Sequence, residues 1–526
     1  MVLGTHRRNR SSTEEFRDPT EDETVVDADQ GNVLMHIIKQ LRPGADLSRV
    51  TLPTFILEPR SMLERITKYD HLGILAAYST DQEQSFMAHP DTLLPMPKID
   101  DPVQRFVSVV KFYLSGWHIK PPGVKKPLNP ILGEIFTCYW DYPDKTRGYY
   151  ISEQTSHHPP KSSYFFMAPE HHIRIDGTLK PRSKFLGTSA ASMMEGIAVM
   201  RFLNRGERFF ITQPNMYARN IIVGKMQYEL GDHSFVRCPE SGLEADIEFK
   251  TKGWIGGNYN VIGGYIKDTK AGKNLYELSG MWSGEMFIKD LSTGKKDLLY
   301  DATNARAAYP QTRPQSEQGD RESQKLWAKT ATAVRKADHR AATDDKSWIE
   351  DRQREEASQR EKQGLEWQPQ LFRPVRGGPG GSEEGEESLD WIIDANLNYN
   401  ASSQDLVNQV LSLAPIVPGQ KSSDYPPESR NDILAKTTSS SVPAPTSTQS
   451  AVAPQPMSAT QADLIDFGQH DASKVSPPTQ NSSTSYDGSA PPPGLQQPLV
   501  PTSSQGHDLR QDSIAGSIDE FVDAES

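Results

Sequence analysis

Glu153-Gln154-Thr155-Ser156-His157-His158-Pro159-Pro160 sets two imidazoles and two prolines in a row between apolar stretches. Each proline removes a backbone donor, and the first pushes His158 toward extended geometry. Tyr149-Tyr150-Ile151 precedes the octet and Tyr164-Phe165-Phe166 follows it, both strand-like. The octet therefore reads as a fixed, non-helical corner at a strand end that presents its imidazoles rather than burying them.

Outward from this corner, short β segments recur from about Gly148 to Tyr300. They include Ile173-Arg174-Ile175, Ile197-Ala198-Val199-Met200, Phe209-Phe210-Ile211, Ile247-Glu248-Phe249, Tyr276-Glu277-Leu278 and Met286-Phe287-Ile288. Gly, Asn, Asp and Pro separate them at hairpin spacing, and many alternate apolar with polar. So long a sheet needs closure to hide its edges, which predicts a large barrel. The preceding part is helical. Leu34, Ile37, Ile38 and Leu41 follow helical spacing up to Pro43-Gly44, and a second helix begins near Ser61 after Leu52–Leu57. Asp101-Pro102 supplies an N-cap and a proline at the first helical position, with Val103, Phe106, Val107, Val110 and Leu114 on one face until Gly116. Helical pattern returns after Pro314, through Leu326-Trp327 and the charged run Asp344–Lys362. Trp367, Leu371 and Phe372 read as the last residues with a core to join.

Charge is distributed unevenly along the 526 residues. Residues 373–526 hold 7 Lys and Arg against 20 Asp and Glu, and residues 1–30 hold 4 against 8; removing both from the net −12 leaves about +5 for residues 31–372. The acidity belongs to the two ends, so it does not oppose an anionic ligand in the middle. From Arg373 onward the chain has six aromatic residues among long Ser, Thr, Pro and Gln tracts, the composition of a disordered tail. Residues 1–30 read as a disordered leader. Two cysteines, Cys138 and Cys238, suggest no disulfide framework and fit a reducing compartment. With neither a signal peptide nor an apolar run of about 18 residues, the expectation is a cytoplasmic chain whose membrane contact is peripheral.

Three patterns could carry chemistry. In Lys126-Pro127-Leu128-Asn129-Pro130, two prolines fix the backbone around Asn129 and could aim an ammonium and an amide at an anion; a solvated surface loop has the same composition. The histidine pair lacks the HExxH or paired-cysteine spacing of a zinc site, and Ser156 lacks the GxSxG elbow of a nucleophile. A phosphate clasp remains, in which imidazoles donate hydrogen bonds and titrate toward the charged form. Adjacent strand residues point to opposite faces, so the pair can share one phosphate only where the corner breaks the alternation. Lys346, Glu350 and Arg354 lie at i, i+4 and i+8 on one helical face, as an ion-paired solvated helix or as a phosphate-binding face.

Together these pieces resemble the oxysterol-binding protein family of lipid exchangers, over roughly residues 31–372. The resemblance implies an α+β fold: a large incomplete antiparallel β-barrel around a lipid tunnel, with flanking helices and an N-terminal lid over about residues 31–57. It implies a short member, with no pleckstrin-homology or ankyrin region ahead of the domain, and a binder rather than an enzyme, with neither metal nor nucleic acid. Carried over by motif, the phosphatidylinositol 4-phosphate headgroup would be gripped by Lys126, Asn129, His157, His158, Lys346, Glu350 and Arg354. Leu179–Gly187 and Leu41–Ser48 resemble the fungal branch whose second ligand is phosphatidylserine, which makes Ser183 a headgroup contact. The implied activity is exchange of these two lipids at contacts of the endoplasmic reticulum with the plasma membrane, with sterol exchange or a phosphoinositide sensor as alternatives. Ser517–Ser526 resembles the acidic motif that binds VAP receptors on the endoplasmic reticulum. Glu520, Phe521, Asp523 and Ala524 match it, while Val522 replaces its second phenylalanine; a merely solubilising acidic end has the same charge.

Overall fold

The structure, a computed structural model, describes residues 44, 54, 57–66, 87, 89–118, 126–219, 227–252, 257–305, 308–378, 381 and 389–425. Leu34–Leu41 and the matched positions within 517–526 lie outside these residues. Strand β1 (Leu57–Ser61) runs directly into helix α1 (Met62–Ile66). Helix α2 (Pro102–Ser115) starts as its sequence predicts: the Asp101 carboxylate accepts from the Gln104 N–H at 2.8 Å, Pro102 follows, and Gly116 caps the end. Strand β2 (Lys126–Leu128) pairs in parallel with β1.

The sheet begins at β3 (Ile135–Asp141), β4 (Arg147–Ser156), β5 (Lys161–Ala168), β6 (Ile173–Phe185) and β7 (Ala190–Phe202). It continues through β8 (Glu207–Ile211), β9 (Asn215–Arg219), β10 (Gln227–Cys238), β11 (Leu243–Lys250) and β12 (Val261–Asp268). It finishes with β13 (Lys273–Met281), β14 (Glu285–Asp290) and β15 (Lys296–Asp301). These thirteen described strands form one antiparallel sheet in near-sequential order, with β9 joined to both β7 and β10. Alternation is plain on β11, where Leu243, Ala245, Ile247 and Phe249 are buried and the residues between them are not. The inward rows enclose α2, whose Phe106, Val109, Val110 and Leu114 join one core with Phe136, Trp140, Ile247 and Phe249. Arg105 of α2 donates two 2.6 Å bonds to the Glu207 carboxylate at the start of β8, fixing helix to sheet.

The end strands β3 and β15 do not pair with each other, so the barrel is incomplete. Returning chain covers the β3 edge instead: Tyr139 and Gln311 exchange backbone bonds of 3.0 and 2.7 Å, and Ile135 N–H donates to the Arg321 carbonyl at 2.9 Å. Helices α3 (Ala328–Arg335) and α4 (His339–Lys362) follow.

The expected end of the fold at Phe372 is corrected by what comes next. Strand β16 (Phe372–Pro374) pairs with β17 (Trp391–Ile393), and helix α5 (Ser403–Leu411) follows. Leu371, Ile393, Leu397, Leu406, Val407, Val410 and Ile416 cover the outward side chains Tyr139, Tyr149, Ile151, Phe165 and Met167. A disordered tail therefore cannot begin at Arg373. Averaged over 154 residues the composition is polar, but the apolar residues concentrate in 389–417, enough to cover the outer side of β3, β4 and β5.

Candidate functional site

The Lys126–Glu134 turn, the Glu153–Pro160 corner and α4 meet at one place. Glu134 is their buried anchor. Its carboxylate accepts from Ser323 Oγ at 2.6 Å, Trp327 Nε1 at 2.9 Å and the Ile131 N–H at 3.1 Å. Burial pushes this carboxyl above its usual range, while hydrogen bonds from Ser323, Ser61, Trp327 and Ile131 oppose the shift. Gly133 takes φ +73°, and a Cβ there would lie 2.5 Å from the Trp367 ring, so both conformation and space require glycine. The turn is tied to the corner by Gly133 N–H donating to the Gln154 carbonyl at 3.0 Å and Gln154 N–H donating to that of Glu134 at 2.9 Å. Beneath them Leu57, Leu128, Ile131, Trp327 and Ile349 pack together.

At the corner, the β4–β5 register shifts between Gln154 and Ser156, and the His158–Pro159 peptide is cis. The shift takes the two histidines off the strand and out of its alternation. Their rings stand 4.6 Å apart at 68°, His157 half-buried and His158 exposed, so both can reach one small group. From the far side of the corner, the buried Glu153 carboxylate accepts from the N–H groups of Gln370 and Leu371 at 2.7 and 2.8 Å. The first residues of β5 and the facing part of β6 are held by Asp390, which accepts from Lys161 Nζ at 2.7 Å and Lys180 Nζ at 2.8 Å. Burial alone would raise the Asp390 carboxyl, but the two lysines outweigh it and hold the group below its usual range.

On α4 the spacing does what the sequence predicts. Lys346 Nζ donates to Glu350 Oε1 at 2.6 Å, Arg354 stands 3.9 Å from Glu350 Oε2 and also pairs with Asp351, and Ile349 anchors the same side. The helix buries only Ala342 and Ile349 among its described side chains, so it lies on the turn by one narrow contact. Gln353 completes that contact: its Oε1 accepts from the Leu132 N–H at 2.8 Å, and its Nε2 lies 3.0 Å from His157 Nε2. One carboxamide thus touches all three motifs.

Of the residues singled out, Lys126, Asn129, His157, His158, Lys346, Glu350 and Arg354 belong to these three joined elements. Asn129 is exposed and Lys126 half-buried. Ser183 belongs to another part of the rim. It lies opposite Ser192 on β7, four residues beyond Leu179, which pairs with Ser162 beside the corner. At about 3.3 Å per residue that is roughly 13 Å along β6. Near it, the Gly44 N–H donates to the Phe185 carbonyl at 2.6 Å, joining Gly44 to the end of β6. Sequence reading missed Gln353, Glu134, Glu153 and Asp390. Gln353 had a signal, standing seven residues after Lys346 on the same helical face. The three acids owe their placement to partners more than 180 residues away, which no local pattern records.

A model of the family described as oxysterol-binding protein matches residues 36–337. The chain belongs to the oxysterol-binding protein family. Among its relatives, the Candida albicans oxysterol-binding protein-like protein OBPa is 49% identical over 393 residues, covering 74% of this chain and 86% of that one. Oxysterol-binding protein homolog 6 of Saccharomyces cerevisiae is 44% identical over 430 residues, covering 80% and 90%. The crystal structure of the Osh1 ORD domain in complex with cholesterol shares the fold, with a TM-score of 0.54 at 20% identity over 71% of this chain and 88% of that domain. Membership accounts for the open antiparallel barrel and its flanking helices. Helix α4 and the further elements β16, β17 and α5 lie beyond the residues the family model matches.

Proposed function

We propose that this chain exchanges phosphatidylserine for phosphatidylinositol 4-phosphate between the endoplasmic reticulum and the plasma membrane. The observation that carries the reading is the Gln353 carboxamide, which gathers turn, corner and helix into one polar cluster. The three elements it joins carry Lys126, Asn129, the two imidazoles, Lys346 and Arg354, with Glu350 between the last two cations. A phosphomonoester carries about −1.5 to −2 charge at neutral pH and three strong acceptor oxygens. Converging cationic and N–H donors suit that group, as charge-assisted bonds are roughly twice as strong as neutral ones.

The physics of transfer favours a headgroup-centred mechanism. Each CH₂ moved out of water is worth about 0.8 kcal/mol, so two acyl chains amount to tens of kcal/mol. An apolar tunnel replaces what the bilayer already supplied, which leaves chain transfer near neutral and selection to the headgroup. Phosphatidylserine as the second cargo rests on Leu41–Ser48 and Leu179–Gly187, with Ser183 as its contact; the Gly44–Phe185 bond brings those two stretches together. Docking of Ser517–Ser526 on a VAP-type receptor would keep the protein at the endoplasmic reticulum.

Native mass spectrometry of protein purified from a eukaryotic host tests the cargo. Masses of a diacyl phosphoserine lipid and of a phosphoinositide bearing one monoester are expected. A sterol mass would replace phosphatidylserine in the account, and lyso products would point to hydrolysis.

A further inference from the structure

Gln353 fixes more than geometry. A backbone N–H can only donate, so the atom facing Leu132 N at 2.8 Å is the carboxamide oxygen. The NH₂ group is then the arm at 3.0 Å from His157 Nε2. An amide NH₂ can only donate in turn, so Nε2 accepts and the ring carries its proton on Nδ1. The surroundings favour this neutral state. Burial and then His158 lower the ring to about 4, with Arg354 of α4 acting in the same direction. The Pro130 carbonyl from the turn and Glu350 of α4 oppose them.

The ionised oxygens of a phosphomonoester only accept. The ring's Nδ1 is buried, so donation to a phosphate falls to Nε2, which must gain a proton and would then face the Gln353 NH₂, donor against donor. We propose that Gln353 is a positioning residue that keeps His157 neutral while the clasp is empty. Capture of a phosphomonoester takes one proton from solvent onto His157 Nε2 and turns the Gln353 amide away from the ring. The inference rests on the headgroup reading above and makes His157 the group that distinguishes an occupied clasp from an empty one. A phosphodiester alone brings less charge to drive the proton uptake, so the device favours lipids with a monoester.

Two measurements on the full-length chain test it. In ¹⁵N-histidine NMR at pH 7, the His157 ring, identified by its loss in His157→Gln, is expected as the Nδ1–H tautomer. In Gln353→Leu, which keeps the side chain's bulk but not its hydrogen bonds, the ring should shift toward Nε2–H. An Nε2–H ring in the wild type, or an unchanged ring in Gln353→Leu, overturns the proposal with no lipid involved. Second, affinity for short-chain phosphatidylinositol 4-phosphate should rise by up to tenfold for each unit of pH from 8.5 down to 7. That window lies above the headgroup's own second pKa of about 6. His157→Gln should flatten the rise. A flat wild-type profile with intact binding overturns the coupling alone, whereas no binding at any pH removes the headgroup reading and this inference with it.

Discussion

At the scale of single residues, the site depends on polar groups held away from water with their partners fixed. Glu134 is the plainest case, a buried carboxylate with three donors converging on it; leaving those donors unsatisfied would cost about 1–3 kcal/mol each. His157 carries a consequence for pH. Its folded-state pKa of about 4 lies below the usual 6.5, so between those values the unfolded chain binds a proton that the folded chain does not. Stability therefore falls as pH drops from about 6.5 toward 4. Urea unfolding midpoints at pH 7 and pH 5 measure this fall, and His157→Gln should reduce it. If the variant loses as much stability as the wild type, the ring is not held neutral by its surroundings. That the octet ends its strand in a corner was legible in the sequence, because two adjacent prolines cannot continue the ladder. How both imidazoles could face one group was not, since the register shift that frees them is set by pairing with β5.

Among the elements, those with a local signature were readable and those defined by distant partners were not. Asp101-Pro102 and Gly116 mark both ends of α2, and apolar alternation marks most strands from Ile173 to Ile288. The edge strand β3 shows no alternation, because Ile135–Trp140 is apolar but for Thr137: its inward residues meet the barrel core and its outward ones meet α5 and β17. The same outer layer reads as disorder when its composition is averaged with that of the polar residues after it. Its removal should be severe. A chain ending at Phe372 would expose Tyr149, Ile151, Phe165 and Met167 and leave Lys161 and Lys180 facing each other across two strands without Asp390. At about 1.5–3 kcal/mol for each large apolar side chain, the loss is roughly 10 kcal/mol or more, comparable to the whole stability of a domain. Calorimetry should find no cooperative transition for residues 1–372. A chain ending at Tyr425 should melt within a few degrees of the full-length protein. Cooperative melting of the shorter form at the full-length temperature would mean that this layer only decorates the barrel.

For the whole molecule, the division of charge assigns different work to different parts. Residues 31–372 carry about +5 while residues 373–526 carry −13, so the clasp lies in the basic part of an acidic chain. No described helix is long and apolar enough to cross a membrane, and the described sheet is open between its end strands. One cluster, built from the turn, the corner and α4, is proposed to select cargo by its phosphate. Liposome transfer tests it most directly, with phosphatidylserine in donor vesicles, phosphatidylinositol 4-phosphate in acceptors, and both lipids followed by fluorescent headgroup sensors. Wild-type protein should move the two lipids in opposite directions, and the double variant His157→Ala, His158→Ala should lose phosphoinositide transport by at least tenfold while still extracting phosphatidylserine. Unchanged phosphoinositide transport by the double variant would contradict the claim.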